Sequence, residues 1–432
     1  MTSTIVIGAG IAGLSAAWEL QAAGVSVRVI EAAPVVGGRM GDRFENGIAY
    51  NSGARLIYPF SRDLHRIIEA AGVTSSLVPL KRLSALCSSL DGPYSIELMP
   101  SWKALLTPGL PLGERCRLIL AALALRTRRR RADPDWAVSA LEWDHITLAE
   151  CIRKEIGDGV LKRLIEPVFR GTRSFDADAI SALFYQSTMP HLVGEDTVFT
   201  FAGGMGQLCN ALADRLPVQT SVAVTAVEQH DDQCVVTLAD GRELSADYVV
   251  IATEGARIAP LLVHPSLEES EMLAAIRYNA LGIVHFAVAG SLEPCIEFAM
   301  RDSPTRIATY QQLDAAPQQG RPNSQVYCQL TPEAIRQVQE QCATDRLDEW
   351  VIDEVRARIP DFDRRRLSTL NQWIPHKIPI FYPGYGSTLR RFLDWQDAGK
   401  SRIRYCGDWV SQALLGGACA SGVRVAAQIA GK

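Results

Sequence analysis

The opening of the chain constrains it most. An apolar run, Thr4-Ile5-Val6-Ile7, passes directly into Gly8-Ala9-Gly10-Ile11-Ala12-Gly13 and then into an alanine-rich stretch. A G-x-G-x-x-G turn between a strand and a helix leaves backbone N–H groups and the positive end of the helix open to a pyrophosphate. The pattern predicts a strand over 4–7, a helix over 11–23 and a second strand over 25–31, together one βαβ unit. Glu31 closes the second strand, eighteen positions past Gly13. A carboxylate there accepts a ribose hydroxyl and repels a 2′-phosphate, so NADP is disfavoured.

Two further blocks carry the same character. Residues 201–254 read as a glycine turn (GGMG), a helix (QLCNALADRL) and three strands, PVQTSVAVTAVEQH, CVVTLADGREL and ADYVVIAT, with Asp240-Gly241 as a hairpin turn. Residues 402–432 read as a strand, a glycine-rich turn and a final helix. The intervening stretches, 81–199 and 266–394, are richer in proline, arginine and aromatic residues. With 432 residues the chain exceeds one ordinary core. The expected fold is α/β: a Rossmann-like dinucleotide-binding domain from 1–80, 200–265 and 395–432, and an inserted α+β substrate domain from 81–199 and 266–394.

A formal charge of -4, 47% hydrophobic and 21% charged residues describe a globular enzyme and give nucleic acid no basic footprint. The ten cysteines form no CxxC pair, and neither they nor the seven dispersed histidines make a metal-ligand cluster, so no metal site is expected. A reducing cytoplasm fits this usage, and no secretory signal or membrane-spanning run is read. LILAALAL (118–125) runs into RTRRRR (126–131). It reads either as an interfacial helix with arginines near anionic headgroups, a peripheral membrane contact through 118–131, or as a core helix whose arginines face water.

The residues after Glu31 narrow the cofactor. EAAPVVGGRM (31–40) and NSGAR (51–55) resemble motifs of the amine oxidase, protoporphyrinogen oxidase and carotenoid desaturase superfamily of flavoproteins. The resemblance implies non-covalent FAD, held at Gly8, Gly10, Ile11, Ala12, Gly13, Glu31, Ala32, Gly38 and Arg39, with Arg39 neutralising the pyrophosphate. It brings Gly53, Ala54 and Arg55 near the isoalloxazine and points to a buried Val224 at the adenine. In the terminal block, CGDWV (406–410) and GGACASGVRVAAQ (416–428) are similar to the family's closing motif. There Gly407 and Asp408 meet the ribityl and pyrophosphate region. A helix beginning near Ser421, Gly422 and Val423 would stabilise charge on the reduced ring.

Within that superfamily the details lean toward the protoporphyrinogen oxidase-like and desaturase branches. The stretch 278–288 lacks the lysine that amine oxidases carry there, and Gly407-Asp408 replaces Gly-Glu. NQWIPHKIPIFYPGY (371–385) and EPVFRGTRSFDADAISA (166–182) resemble segments of the first branch. Cys406 reads as a core cysteine. The expected function is hydride transfer from a C–H bond of a largely apolar substrate to the flavin, forming C=C or C=N, with electrons passed to dioxygen or a quinone. Alternatives are an amine or amino-acid oxidase producing hydrogen peroxide, a redox-neutral flavin isomerase or dehydroxylase, and a non-catalytic flavoprotein. Hydride transfer needs alignment more than an acid or base, so no catalytic side chain is assigned. Arg55, as a clamp on a carboxylate or carbonyl, and Trp373, Phe381 and Tyr382, as pocket walls, are the candidate substrate contacts.

Overall fold

The computed structural model describes residues 2–89, 92–318, 321–399 and 401–431. Its first sheet has five parallel strands in the order Ile403–Tyr405, Tyr248–Ile251, Ser3–Ile7, Ser26–Ile30, Val218–Gln219. Parallel sheets are covered on both faces, which is why these strands are apolar at successive positions. Val6, Val29 and Val250 pack on one side with Leu14, Leu20 and Val425 of the helices Ile11–Ala22 and Leu415–Ala430. Ile5, Ile7, Ile30, Val249 and Ile251 face the opposite core.

The expected βαβ unit is present, with its helix over Ile11–Ala22 and its second strand over Ser26–Ile30. The stretch 217–230, expected as one strand, is divided. Val218–Gln219 joins the first sheet, Ser221 turns the chain at φ 59°, and Val224–Gln229 opens a three-stranded antiparallel sheet with Cys234–Leu238 and Glu243–Ala246. The Asp240-Gly241 hairpin lies where the sequence places it, with Gly241 at φ 83°.

A seven-stranded sheet is ordered Arg366–Pro379, Tyr278–Ala289, Arg321–Leu330, Ile307–Gln318, Cys295–Phe298, Ser84–Ser89, Gly92–Glu97. Its pairs are antiparallel except for Cys295–Phe298 beside Ser84–Ser89. Alternation sorts its two faces. Val284, Phe286, Val326, Cys328 and Leu330 pack with Ala334, Ile335 and Val338 of the Pro332–Glu340 helix. His285, Gln325, Tyr327 and Gln329 point the other way, into a cavity shared with the first sheet.

The Leu112–Arg128 helix behaves differently from a core helix. Only Glu114 and Leu125 are buried, whereas Leu112, Ile119, Leu120 and Leu123 are exposed, as are Trp102 and Leu106 just before it. No helix among the described residues is long and apolar enough to cross a membrane.

Candidate active site

The cavity encloses about 1480 Å³, beyond the roughly 300–1,000 Å³ that suffices for a drug-sized ligand. One end is built by the first sheet. Gly10 caps the Ile11–Ala22 helix with nothing within 4 Å of where a Cβ would stand, leaving its backbone open to a ligand. Gly13 does not line the cavity. A Cβ there would lie 2.0 Å from the Gly8 carbonyl oxygen, so the turn closes only with glycine at this position. Glu31 is aimed by two backbone donors, Ala9 N–H to Oε2 at 2.7 Å and Ala33 N–H to Oε1 at 2.8 Å. Gly8, Ile11, Ala12, Ala32 and Gly38 line the same end, with Val224 beside Val222 and Ala223. Val224 is partly exposed there, not buried as expected, because it begins a strand at the cavity edge.

The middle joins the first and last motifs. Arg39 donates twice to Asp408, at 2.7 and 2.9 Å, and once to the Lys377 carbonyl at 2.8 Å. Burial opposes the charge on Arg39, but Asp408, together with Tyr278 and Glu254, outweighs it and raises the guanidinium pKa. Asn51 Oδ1 accepts from Gly53 N–H at 2.7 Å, and Ala54 N–H donates to the Arg39 carbonyl at 2.8 Å, folding the NSGAR turn onto Arg39. Arg55 leaves that turn into the cavity, its guanidinium 3.9 Å from the centre of the Tyr327 ring.

The closing helix starts earlier than expected. Leu414 is extended and the helix runs over Leu415–Ala430, so Leu414, Leu415 and Ala418 line the cavity, as do Gly407 and Asp408. Ser421, Gly422 and Val423 lie farther along it and outside the lining. The Ser421 hydroxyl accepts from Gly407 N–H at 2.8 Å and thereby fixes the glycine turn. A Cβ on Gly422 would stand 2.2 Å from the Ala12 carbonyl oxygen, so this glycine is where the first and last helices touch.

The three aromatic candidates do not wall the cavity. Trp373 packs on the far face of its sheet, opposite its neighbour Gln372, which is buried behind the cavity-lining His285, donates to the Asn51 carbonyl and accepts from His285. Phe381 is 1% exposed and stacks on Tyr385. The Tyr382 hydroxyl donates to the Ala275 carbonyl. Both come after the end of the Arg366–Pro379 strand, where the chain turns into the core.

Sequence reading missed a polar group on this wall. Lys377 is buried and donates from Nζ to the Thr172 carbonyl at 3.1 Å. Burial and the nearby Arg173 and Arg55 push its pKa well below the ordinary lysine value. His285 is held between Gln372 Oε1 at 3.1 Å and Gln325 Nε2 at 3.0 Å. Burial lowers its pKa to about 4, against the Gln372 bond and helped by the Arg55 charge. Tyr327, Gln329 and Gln311 complete the set. A lone lysine within IPHKIPIF and the alternation Gln325, Tyr327, Gln329 are the signals that mark them.

This lining fits a flavin dinucleotide. An open glycine turn at a helix N-terminus, an oriented carboxylate at the end of the second strand, a half-buried arginine and a second helix N-terminus line one cavity. The fold and site thus define a dinucleotide-binding protein. Residues 11–430 match the family model for flavin containing amine oxidoreductase. The chain belongs to that family. It is similar to amine oxidase [flavin-containing] A of Canis lupus familiaris, 25% identical over 297 residues covering 65% of this chain and 55% of the relative. It is also similar to coproporphyrinogen III oxidase of Propionibacterium freudenreichii subsp. freudenreichii, 24% identical over 352 residues covering 66% of this chain and 63% of the relative. The matched region thus spans a little over half the length of these relatives. A putrescine oxidase double mutant shares the fold over the full length of both chains, with a TM-score of 0.76 at 17% identity.

Proposed function

We propose that the protein oxidises a largely apolar organic substrate, forming a C=C or C=N bond, with dioxygen or a quinone as final acceptor. The observation that carries this reading is the substrate end of the cavity, where Leu80, Leu83, Leu98, Ile296 and Phe298 form the wall. FAD, when bound, supplies the redox chemistry by accepting a hydride. Gly10, Glu31, Arg39, Gly53 and Ala54 would hold it, with Asp408 orienting Arg39 and the start of the Leu415–Ala430 helix supplying positive potential. Non-covalent binding is supported by the cysteines, since none of the cavity-lining residues among those described is one and Cys406 is buried in the core. The chain's own residues align the substrate and exclude water. His285, neutral near pH 7 and engaged at both nitrogens, is a fixed polar wall rather than a proton shuttle.

Anaerobic addition of candidate substrates to the flavin-loaded protein tests the reading. Bleaching by apolar compounds such as porphyrinogens or polyenes, and not by simple amines, is the expected result; bleaching by amines alone overturns it. A second reading, an amino-acid oxidase, draws on the position of Arg55 in the cavity and predicts hydrogen peroxide with amino acids. We also propose that the exposed face formed by Trp102, Leu106, Leu112, Leu120 and Leu123, followed by Arg126 and Arg129 to Arg131, rests on an anionic membrane surface.

A further inference from the structure

Three basic side chains, Arg55, Arg173 and Lys377, meet at the substrate end of the cavity, and none has a carboxylate partner among the described residues. The Lys377 side chain belongs to a residue only 8% exposed, and its Nζ donates to one backbone carbonyl, that of Thr172. Arg173 donates to the Thr172 hydroxyl and to the Tyr58 hydroxyl, each at 3.2 Å, and lies over the rings of Phe169 and Phe184. Arg55 lies over Tyr327 and reaches Gln311 Oε1 only at 3.4 Å. Arg55 and Arg173 both depress the lysine pKa through their charge, so the three share one field.

The carboxylates that line the cavity are committed elsewhere. Asp408 holds Arg39, and Glu254 holds Arg257 and His376. Glu31 accepts from Ala9 and Ala33, and Asp42 from Met205 and Gly206. Cations withdrawn from water without a counterion are costly, and that cost is recovered when an anion arrives. The apolar wall lies next to them: a Cβ on Gly171, the residue before Thr172, would stand 2.5 Å from the Phe298 ring.

We propose that Arg55, Arg173 and Lys377 form a carboxylate-binding subsite and that the substrate is an amphipathic organic acid. Its acid group sits on the three cations and its hydrocarbon body lies along Leu80, Leu83, Leu98, Ile296 and Phe298. The proposal rests on the reading above that the oxidised compound is largely apolar, and it names the polar end of that compound. A guanidinium fork matches a planar carboxylate, whereas the ammonium of an amine meets like charge.

The test titrates the flavin-loaded protein with decanoate, decan-1-ol and decan-1-amine, which share a chain and differ in the head group. Binding is followed by calorimetry and by the perturbation of the flavin spectrum. Decanoate is expected to bind at least about tenfold more tightly than decan-1-ol, and the amine more weakly than the alcohol. Arg55→Gln and Arg173→Gln each lower the acid-to-alcohol preference roughly tenfold, and the corresponding lysine variants restore part of it. A circular-dichroism spectrum and a urea midpoint like those of the parent protein report that the variants are folded. Equal affinities for acid and alcohol in the parent protein, or a preference that survives both glutamine variants, overturn the subsite. If acid selectivity holds while no apolar acid bleaches the flavin, the subsite stands and the oxidation reading falls. If a neutral apolar compound bleaches the flavin and acid and alcohol bind alike, the reverse is true.

Discussion

Replacing Gly422 by alanine separates two roles for this residue that its position in the closing motif leaves undivided. The new methyl carbon would stand 2.2 Å from the Ala12 carbonyl oxygen and 3.0 Å from the Ala16 nitrogen, against roughly 3.5 Å or more for ordinary contact. Both obstacles are backbone, so no side chain can swing aside and the two helices must part by about 1 Å. Leu14, Ala16 and Ala17 on one helix and Ala418, Cys419 and Val425 on the other are buried around this contact. The loss belongs at the upper end of the overpacking range, about 3 kcal/mol. Gly113→Ala is the internal control: this glycine also lies in a helix, is exposed and has nothing within 4 Å of its would-be methyl. As the second residue of its helix it should change stability by no more than about 0.5 kcal/mol. Urea unfolding of the flavin-free proteins reads both, and flavin affinity is measured alongside. A Gly422→Ala protein that unfolds at the parent midpoint yet binds flavin weakly would refute the packing argument and return Gly422 to the cofactor.

Other expectations are as direct. His285 titrates below the ordinary value of 6.5, at about 4, when folded, so it contributes stability that is complete above pH 6.5 and lost as pH falls toward 4. Urea midpoints between pH 4 and 7 should show that loss in the parent protein and a shallower profile in His285→Gln; identical profiles would remove His285 as the cause. Asp408→Asn takes the counterion from an arginine whose side chain is 27% exposed and should cost about 2 kcal/mol in the flavin-free protein. An unchanged denaturation midpoint would show that the pair adds nothing to stability. Sedimentation with phosphatidylserine-containing vesicles should capture the protein, and Leu120→Asp with Leu123→Asp should abolish capture; equal binding to neutral vesicles would argue against a role for the arginines.

Local rules carry a good part of the fold. Gly8 to Gly13 and Glu31 mark the first βαβ unit, because strand, turn and helix there are contiguous in the chain and each obeys its own periodicity. The Asp240-Gly241 hairpin is legible for the same reason. Ser421 to Val423 are misplaced by sequence alone because glycines suggest a helix start, whereas the helix begins at Leu415, where the extended Leu414 releases the chain. Trp373 looks like a cavity wall in sequence, but the pleat sends it to the far face and Gln372 toward His285. Lys377 is not legible because its role depends on Thr172, Arg173 and Arg55, brought to it from distant segments by the seven-stranded sheet and the helices against it. Pairing across a sheet is a tertiary event, and composition along one strand does not announce it.

The link between Arg39 and Asp408 also has a consequence for the order of events during biosynthesis. The two residues are 369 positions apart, and at roughly 5–20 residues per second a ribosome needs some 20–75 s to make the second after the first. The Tyr248–Ile251 strand likewise lacks its edge neighbour until Ile403–Tyr405 is made. During that interval Gly10 and Glu31 can be exposed, but the centre of the cavity has no partner for its arginine and no second helix. The cavity is therefore completed late, and a nascent chain halted before Asp408 lacks the residues that close its centre.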